Sequence, residues 1–185
     1  MSHFDDQYDI LGPKEGAYSN NPNDSGGETM WGVTAAVARR HGYTGEMRDM
    51  PRSVAKAICR ADYWDWLRLD DVALISPKIA GELFDSAINC GTSRAGKWLQ
   101  TALNAFNLRG AYYADITVDG SVGPGTIAAY QAYFRVRGKA HGREAAEAVL
   151  FRALDGQQRA FYLNLSQERS KDEDFVFGWL LNRTE

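Results

Sequence analysis

The chain has 185 residues, 44% hydrophobic and 24% charged, a size and composition suited to one compact globular unit or to two small ones sharing an interface. Lys and Arg total 21 against 24 Asp and Glu, and the net charge of -3 leaves no electrostatic footprint for nucleic acid. A polymeric ligand would have to be held by shape, stacking and hydrogen bonds.

The N-terminal MSHFDDQYDI has neither a basic n-region nor an apolar h-region, and no run of about 18 apolar residues follows anywhere. The expectation is a protein made in a cytoplasm, with no signal peptide and no stable membrane insertion. Next comes KEGAYSNNPNDSGGETMWGVT, residues 14–34, which concentrates Glu15, Asp24 and Glu28 in a loop rich in Asn, Gly and Ser. Asp and Asn side chains commonly bond their own backbone in such loops, and Gly26-Gly27 suits positive φ.

The first clear helix is expected from Thr34, a cap for AAVARRH, with Gly42 as its stop. Ser53 is expected to cap a second, VAKAICRADYWDWL, with Val54, Ala57, Ile58 and Ala61 at helical spacing. Ser76-Pro77 opens a third, carrying Ile79, Leu83 and Ala87 on one face and ending near Gly91. Ala95 to Phe106 forms another amphipathic stripe, and NLRGAYYADITVDGSVGPG is turn-rich, with room for a short hairpin. Thr126 restarts helix, and the longest pattern runs from about Arg143 to Glu168. The aromatics of the tail, DEDFVFGWLLNRTE, are expected to dock on the body. The fold class is mainly α, with at most a small β-hairpin. A boundary between Gly91 and Gly96 divides residues 1–95 from residues 96–185, the second part expected to pack on the first as one unit.

Breaking a glycosidic bond takes a proton donor for the leaving oxygen and a second carboxylate across the sugar. Glu15, with Ala17, Tyr18 and Ile10-Leu11 near in sequence, suits the protonated role; Asp24, among Asn21, Asn23 and Ser25, suits the ionised one. Glu28 is a rival second acid whose other reading is a carboxylate favoured by the following helix dipole. Tyr18 and Trp31 flank the acids and could stack on sugar rings, whereas Tyr63, Trp64 and Trp66 read as core or cleft-wall packing. His3, His41 and His141 are scattered, so zinc chemistry and a Ser-His hydrolase are unsupported, and no nucleotide-binding glycine loop occurs. No cofactor and no metal are expected. Cys59 and Cys90 read as buried free thiols within helices.

EGAYSNNPNDSGGETMWGVT resembles the opening motif of the glycoside hydrolase family 108 muramidases of phage endolysins and bacterial lysis cassettes, approximately EGGYxNxPxDxGGxTxxGIT, with Ala17 where a second glycine is usual. RADYWDWLRLDD and ELFDSAINCG are similar to the rest of that catalytic region. VDGSVGPGT and FYLNL…FGWLLNR resemble the peptidoglycan-binding region that follows it. The resemblance implies a lysozyme-like helical fold and a constellation of Glu, eight residues, Asp, then Thr. These map to Glu15, Asp24 and Thr29, the last interval being one residue shorter than in phage lysozymes. It implies hydrolysis of the β-1,4 bond between N-acetylmuramic acid and N-acetylglucosamine, with Glu15 as acid, Asp24 and Thr29 positioning water, and Tyr18 and Trp31 binding substrate. It further implies a monomeric endolysin of the host cytoplasm that reaches the wall through a holin-type lesion. The alternatives are a lytic transglycosylase using Glu15 alone and a non-catalytic wall-binding protein.

Overall fold

The structure, a computed structural model, describes residues 2–11, 18–20, 27–169 and 173–182. It is mainly α, 72% helical, with one small two-stranded antiparallel sheet. The chain divides into two compact units, Met1–Asp65 and Trp66–Glu185.

The first unit opens with a helix ahead of the expected first one, α1 (His3–Leu11). Its start is a reciprocal capping box. The Asp5 N–H donates to Ser2 Oγ at 3.2 Å while the Ser2 N–H donates to Asp5 Oδ2 at 3.1 Å. Phe4 and Tyr8, one turn apart, are both buried. Strands β1 (Thr29–Met30) and β2 (Val33–Thr34) form the hairpin, with Thr29 opposite Thr34. Helix α2 (Ala35–Arg40) follows with Thr34 as its cap, Oγ1 accepting from the Val37 N–H, and Gly42 adopts φ +81° just beyond it.

After a 3-10 turn at Met47–Asp49, α3 (Arg52–Cys59) begins two residues earlier than expected, with Pro51 at the cap position, and Ser53 makes no cap. It does not continue as α-helix. Residues Arg60–Asp65 form a π-helical turn, and this wider turn carries Trp64 to complete burial, edge-on to Phe4 at 5.5 Å. The buried face of α3 is Ala55 and Ile58 with Val54 beside them, while Ala57 and Ala61 are exposed. The expected stripe is therefore rotated.

The second unit contains α4 (Leu69–Ala73), α5 (Pro77–Cys90), α6 (Thr92–Phe106), α7 (Pro124–His141), α8 (Arg143–Glu168) and α9 (Glu173–Asn182). Ser76 caps α5, its Oγ accepting from the Ile79 N–H at 3.0 Å, and Pro77 occupies the first turn where a missing N–H is harmless. Helix α5 packs on α4, α6 and α8, burying Ile79, Ala80, Leu83, Phe84 and Ala87. Each of the larger side chains contributes about 1.5–3 kcal/mol on burial. Between α5 and α8 the buried Gln158 donates to Asp85 Oδ2 and accepts from Ser86 Oγ, a polar peg that specifies how the two helices register.

The turn-rich stretch between α6 and α7 contains no hairpin. Three amides, Gln100 and Asn104 of α6 and Asn107 at its C-terminal cap, hold the backbone of this stretch instead. Asn104 donates to Ile116 O at 2.8 Å and accepts from the Ile116 N–H at 2.9 Å. Gln100 accepts from the Gly120 N–H at 2.8 Å and donates to Ser121 O at 3.0 Å. With those groups satisfied by side chains, strand pairing has nothing to add. Helix α7 starts at Pro124, two residues before the Thr126 expected to restart it, and Thr126 is buried inside it. In the tail, Trp179 of α9 packs against Tyr162 of α8 at 5.3 Å, while Phe175 and Phe177 stay exposed.

Candidate functional site

Of the residues proposed from sequence, Tyr18, Thr29 and Trp31 are described; Glu15 and Asp24 lie outside the described residues. The two described ends of the acidic loop are tied together. The Ser19 N–H donates to Thr29 O at 2.9 Å and the Thr29 N–H to Ser19 O at 2.8 Å, so residues 18–20 lie antiparallel to β1. Glu15 is three residues before Tyr18 in sequence, and Asp24 four before Glu28.

At this junction Tyr18 donates its hydroxyl hydrogen bond to Glu28 Oε1 at 2.7 Å. The guanidinium of Arg48, from the 3-10 turn, lies over the Tyr18 ring at 4.5 Å from its centroid. The Glu28 carboxylate thus points to Tyr18, and it is the Glu28 backbone carbonyl that meets α2, accepting from the Ala35 N–H at 2.8 Å. Thr29 Oγ1 donates to Gly27 O at 3.1 Å, and Gly27 has φ +67°. Trp31 occupies the hairpin turn at φ +53°, a conformation unfavourable for a bulky residue. Its indole N–H donates to Met50 O at 2.9 Å, and its ring packs with Tyr18 and Met30 against the core of Val33, Ala38, Met47, Met50, Ala55 and Ile58. That anchorage holds the strained turn in place.

Sequence reasoning named Tyr18 and Glu28 separately but missed their bond, and it missed Arg48 altogether; neither has a local signal, because the partners are ten and thirty residues apart in the chain. His41, which looks isolated in the sequence, has its Nε2 2.8 Å from Asp62 Oδ1, with Arg40 on the other carboxylate oxygen at 3.2 Å. Among the described residues no group of His, Cys, Asp and Glu could hold a metal. Burial, with Asp62 adding to it, pushes the thiol of Cys59 up to about 12, which disfavours the thiolate.

Polar and aromatic side chains therefore meet where residues 18–20 pair with the hairpin. Residues 8–91 match the family described as glycosyl hydrolase 108, and residues 94–184 match the predicted peptidoglycan domain. Residues 8–91 thus belong to the glycosyl hydrolase 108 family, and the protein is a glycoside hydrolase acting on peptidoglycan. Its fold is similar to that in the structure of Brucella abortus SagA, at 21% identity over 95% of this chain and 94% of that one, with a TM-score of 0.57. No curated protein matches it.

Proposed function

We propose that the protein is an endolysin-type muramidase that hydrolyses the β-1,4 bond between N-acetylmuramic acid and N-acetylglucosamine. The observation that carries this reading is the family match over residues 8–91, which spans Glu15, Asp24 and Thr29. Glu15 protonates the leaving glycosidic oxygen. Asp24 and Thr29 orient a water against the anomeric carbon on the opposite face, and inversion results. Tyr18 and Trp31 line the sugar path, their rings fixed by the packing described above. Residues 1–95 carry out the chemistry and residues 96–185 hold the wall. The enzyme accumulates in the host cytoplasm, acts as a monomer, and meets its substrate once a phage-encoded membrane lesion opens the way. No helix among the described residues is long and apolar enough to cross a membrane.

Digestion of purified peptidoglycan followed by mass spectrometry tests the reaction: fragments that have gained water, ending in reducing N-acetylmuramic acid, are expected. Anhydro ends would identify a transglycosylase, and intact glycan a binding protein. Proton NMR early in the reaction should show an α reducing end; an initial β product would overturn the water-activating role of Asp24 and Thr29. Glu15→Gln should lower the rate about 100-fold or more, the usual contribution of a positioned general acid, with an unchanged thermal midpoint. Activity within a few fold of wild type would remove Glu15 from the mechanism.

A further inference from the structure

The Tyr18–Glu28 bond raises a question of residue choice. Fastening residues 18–20 to the hairpin requires only an acceptor for the tyrosine hydroxyl, and a neutral amide would serve. A carboxylate stands there instead, half-buried, directly before Thr29, and no cation among the described residues forms an ion pair with it. An ionised carboxylate can accept about four hydrogen bonds, and Tyr18 supplies one of them. Arg48 braces the Tyr18 ring from its face, so the hydroxyl, and through it the carboxylate, is held in one direction. Since the net charge of -3 provides no long-range attraction for anionic wall polymers, recognition of a glycan here depends on shape, stacking and placed hydrogen bonds. The donors an N-acetylated glycan offers are its hydroxyls and its acetamido N–H groups. A fixed carboxylate acceptor is the complement to both.

We propose that Glu28 is a substrate-orienting residue that accepts a hydrogen bond from an acetamido N–H or hydroxyl of the glycan strand, and that Tyr18 and Arg48 are its positioning residues. This rests on the peptidoglycan reading above. In this arrangement Tyr18 contributes to sugar binding through Glu28, because its hydroxyl is committed and one ring face is covered by the guanidinium.

The test is steady-state hydrolysis of solubilised peptidoglycan strands by wild type, Glu28→Gln, Tyr18→Phe and the double variant, with thermal midpoints measured alongside. Glu28→Gln keeps a carbonyl oxygen for the Tyr18 hydroxyl but puts an NH2 donor where the second carboxylate oxygen was. The expected result is a KM raised about tenfold, the scale of one hydrogen bond to a charged group, with kcat and midpoint little changed. Tyr18→Phe should raise KM several fold, and the double variant should be no worse than Glu28→Gln alone, because Tyr18 acts through Glu28. A KM within twofold of wild type for Glu28→Gln, or additive effects in the double variant, would reduce the pair to a structural tie and leave the muramidase reading intact. If wild type itself cleaves no glycan, that reading falls and takes this inference with it.

Discussion

At the scale of single residues, the positions that matter most are those where space or direction leaves no choice. Gly96 on α6 faces the carbonyl of Gly120 so closely that an added Cβ would sit 2.2 Å from the oxygen, and the obstacle is backbone on both sides. Gly96→Ala is therefore expected to destabilise the second unit by the upper part of the roughly 1–3 kcal/mol typical of overpacking, read as a lowered denaturation midpoint. Gly125→Ala, in the first turn of α7 with nothing within 4 Å, is the control and should be neutral or slightly stabilising. Near-equal midpoints for the two variants would contradict the close approach. The candidate site shows the same dependence on direction. Glu15, Asp24, Glu28 and Thr29 were legible as residue types in a loop, but that Glu28 turns back to Tyr18, and that Arg48 covers the tyrosine ring, depends on how the hairpin meets the 3-10 turn.

At the scale of elements, α1 illustrates how a short helix is held. Its capping box was present in the sequence as Ser2 and Asp5 with Phe4 and Tyr8 one turn apart, yet the acidic run masks the apolar pair. The helix is joined to α3 by Lys56, whose Nζ lies 2.6 Å from Asp5 Oδ1 and near the Phe4 and Tyr8 rings. Donation from Lys56, and then from Ser2, holds the Asp5 carboxyl well below the usual carboxylate range. A lowered carboxyl stabilises the fold above its unfolded value, near 4, and that contribution is lost as the pH falls through the folded value. Lys56→Met should accordingly lower the thermal midpoint at pH 7, with a deficit that narrows as the pH is taken down from about 4. A deficit independent of pH would assign the role of Lys56 to its contacts with the rings alone. The connection after α6 is the opposite case. Its Gly, Asp and Ser content was compatible with a hairpin, and only the amides of Gln100, Asn104 and Asn107, projecting from a neighbouring helix and its C-terminal cap, turn it into a loop sewn to α6.

At the scale of the whole molecule, the family matches change over between residues 91 and 94, whereas the contacts divide the chain between Asp65 and Trp66. Helix α5 lies between these two boundaries, and it buries Ile79, Leu83 and Phe84 against α4, α6 and α8. A chain cut after Ala95 would keep α5 and lose nearly all of α6 and the whole of α8, exposing that face to water. Such a fragment is expected to aggregate or to show reduced helix content by circular dichroism, with the loss centred on residues 66–95 in hydrogen exchange. A monomeric, fully protected fragment would place the folding boundary at the family boundary instead.

The sequence by itself determined the mainly α class, the caps at Thr34 and Ser76, the apolar faces of α5 and α6, and the family to which the acidic loop belongs. Those are local or periodic properties: a capping hydroxyl acts within one turn, and a repeat of apolar residues declares its own buried side. The π-helical turn at residues 60–65, the rotated face of α3, the sewn loop after α6 and the Arg48–Tyr18–Glu28 arrangement were decided only by tertiary structure. Each depends on a partner from another element. Phe4 meets Trp64 at 5.5 Å across sixty residues of chain, and no periodicity within either segment encodes which ring the other will find.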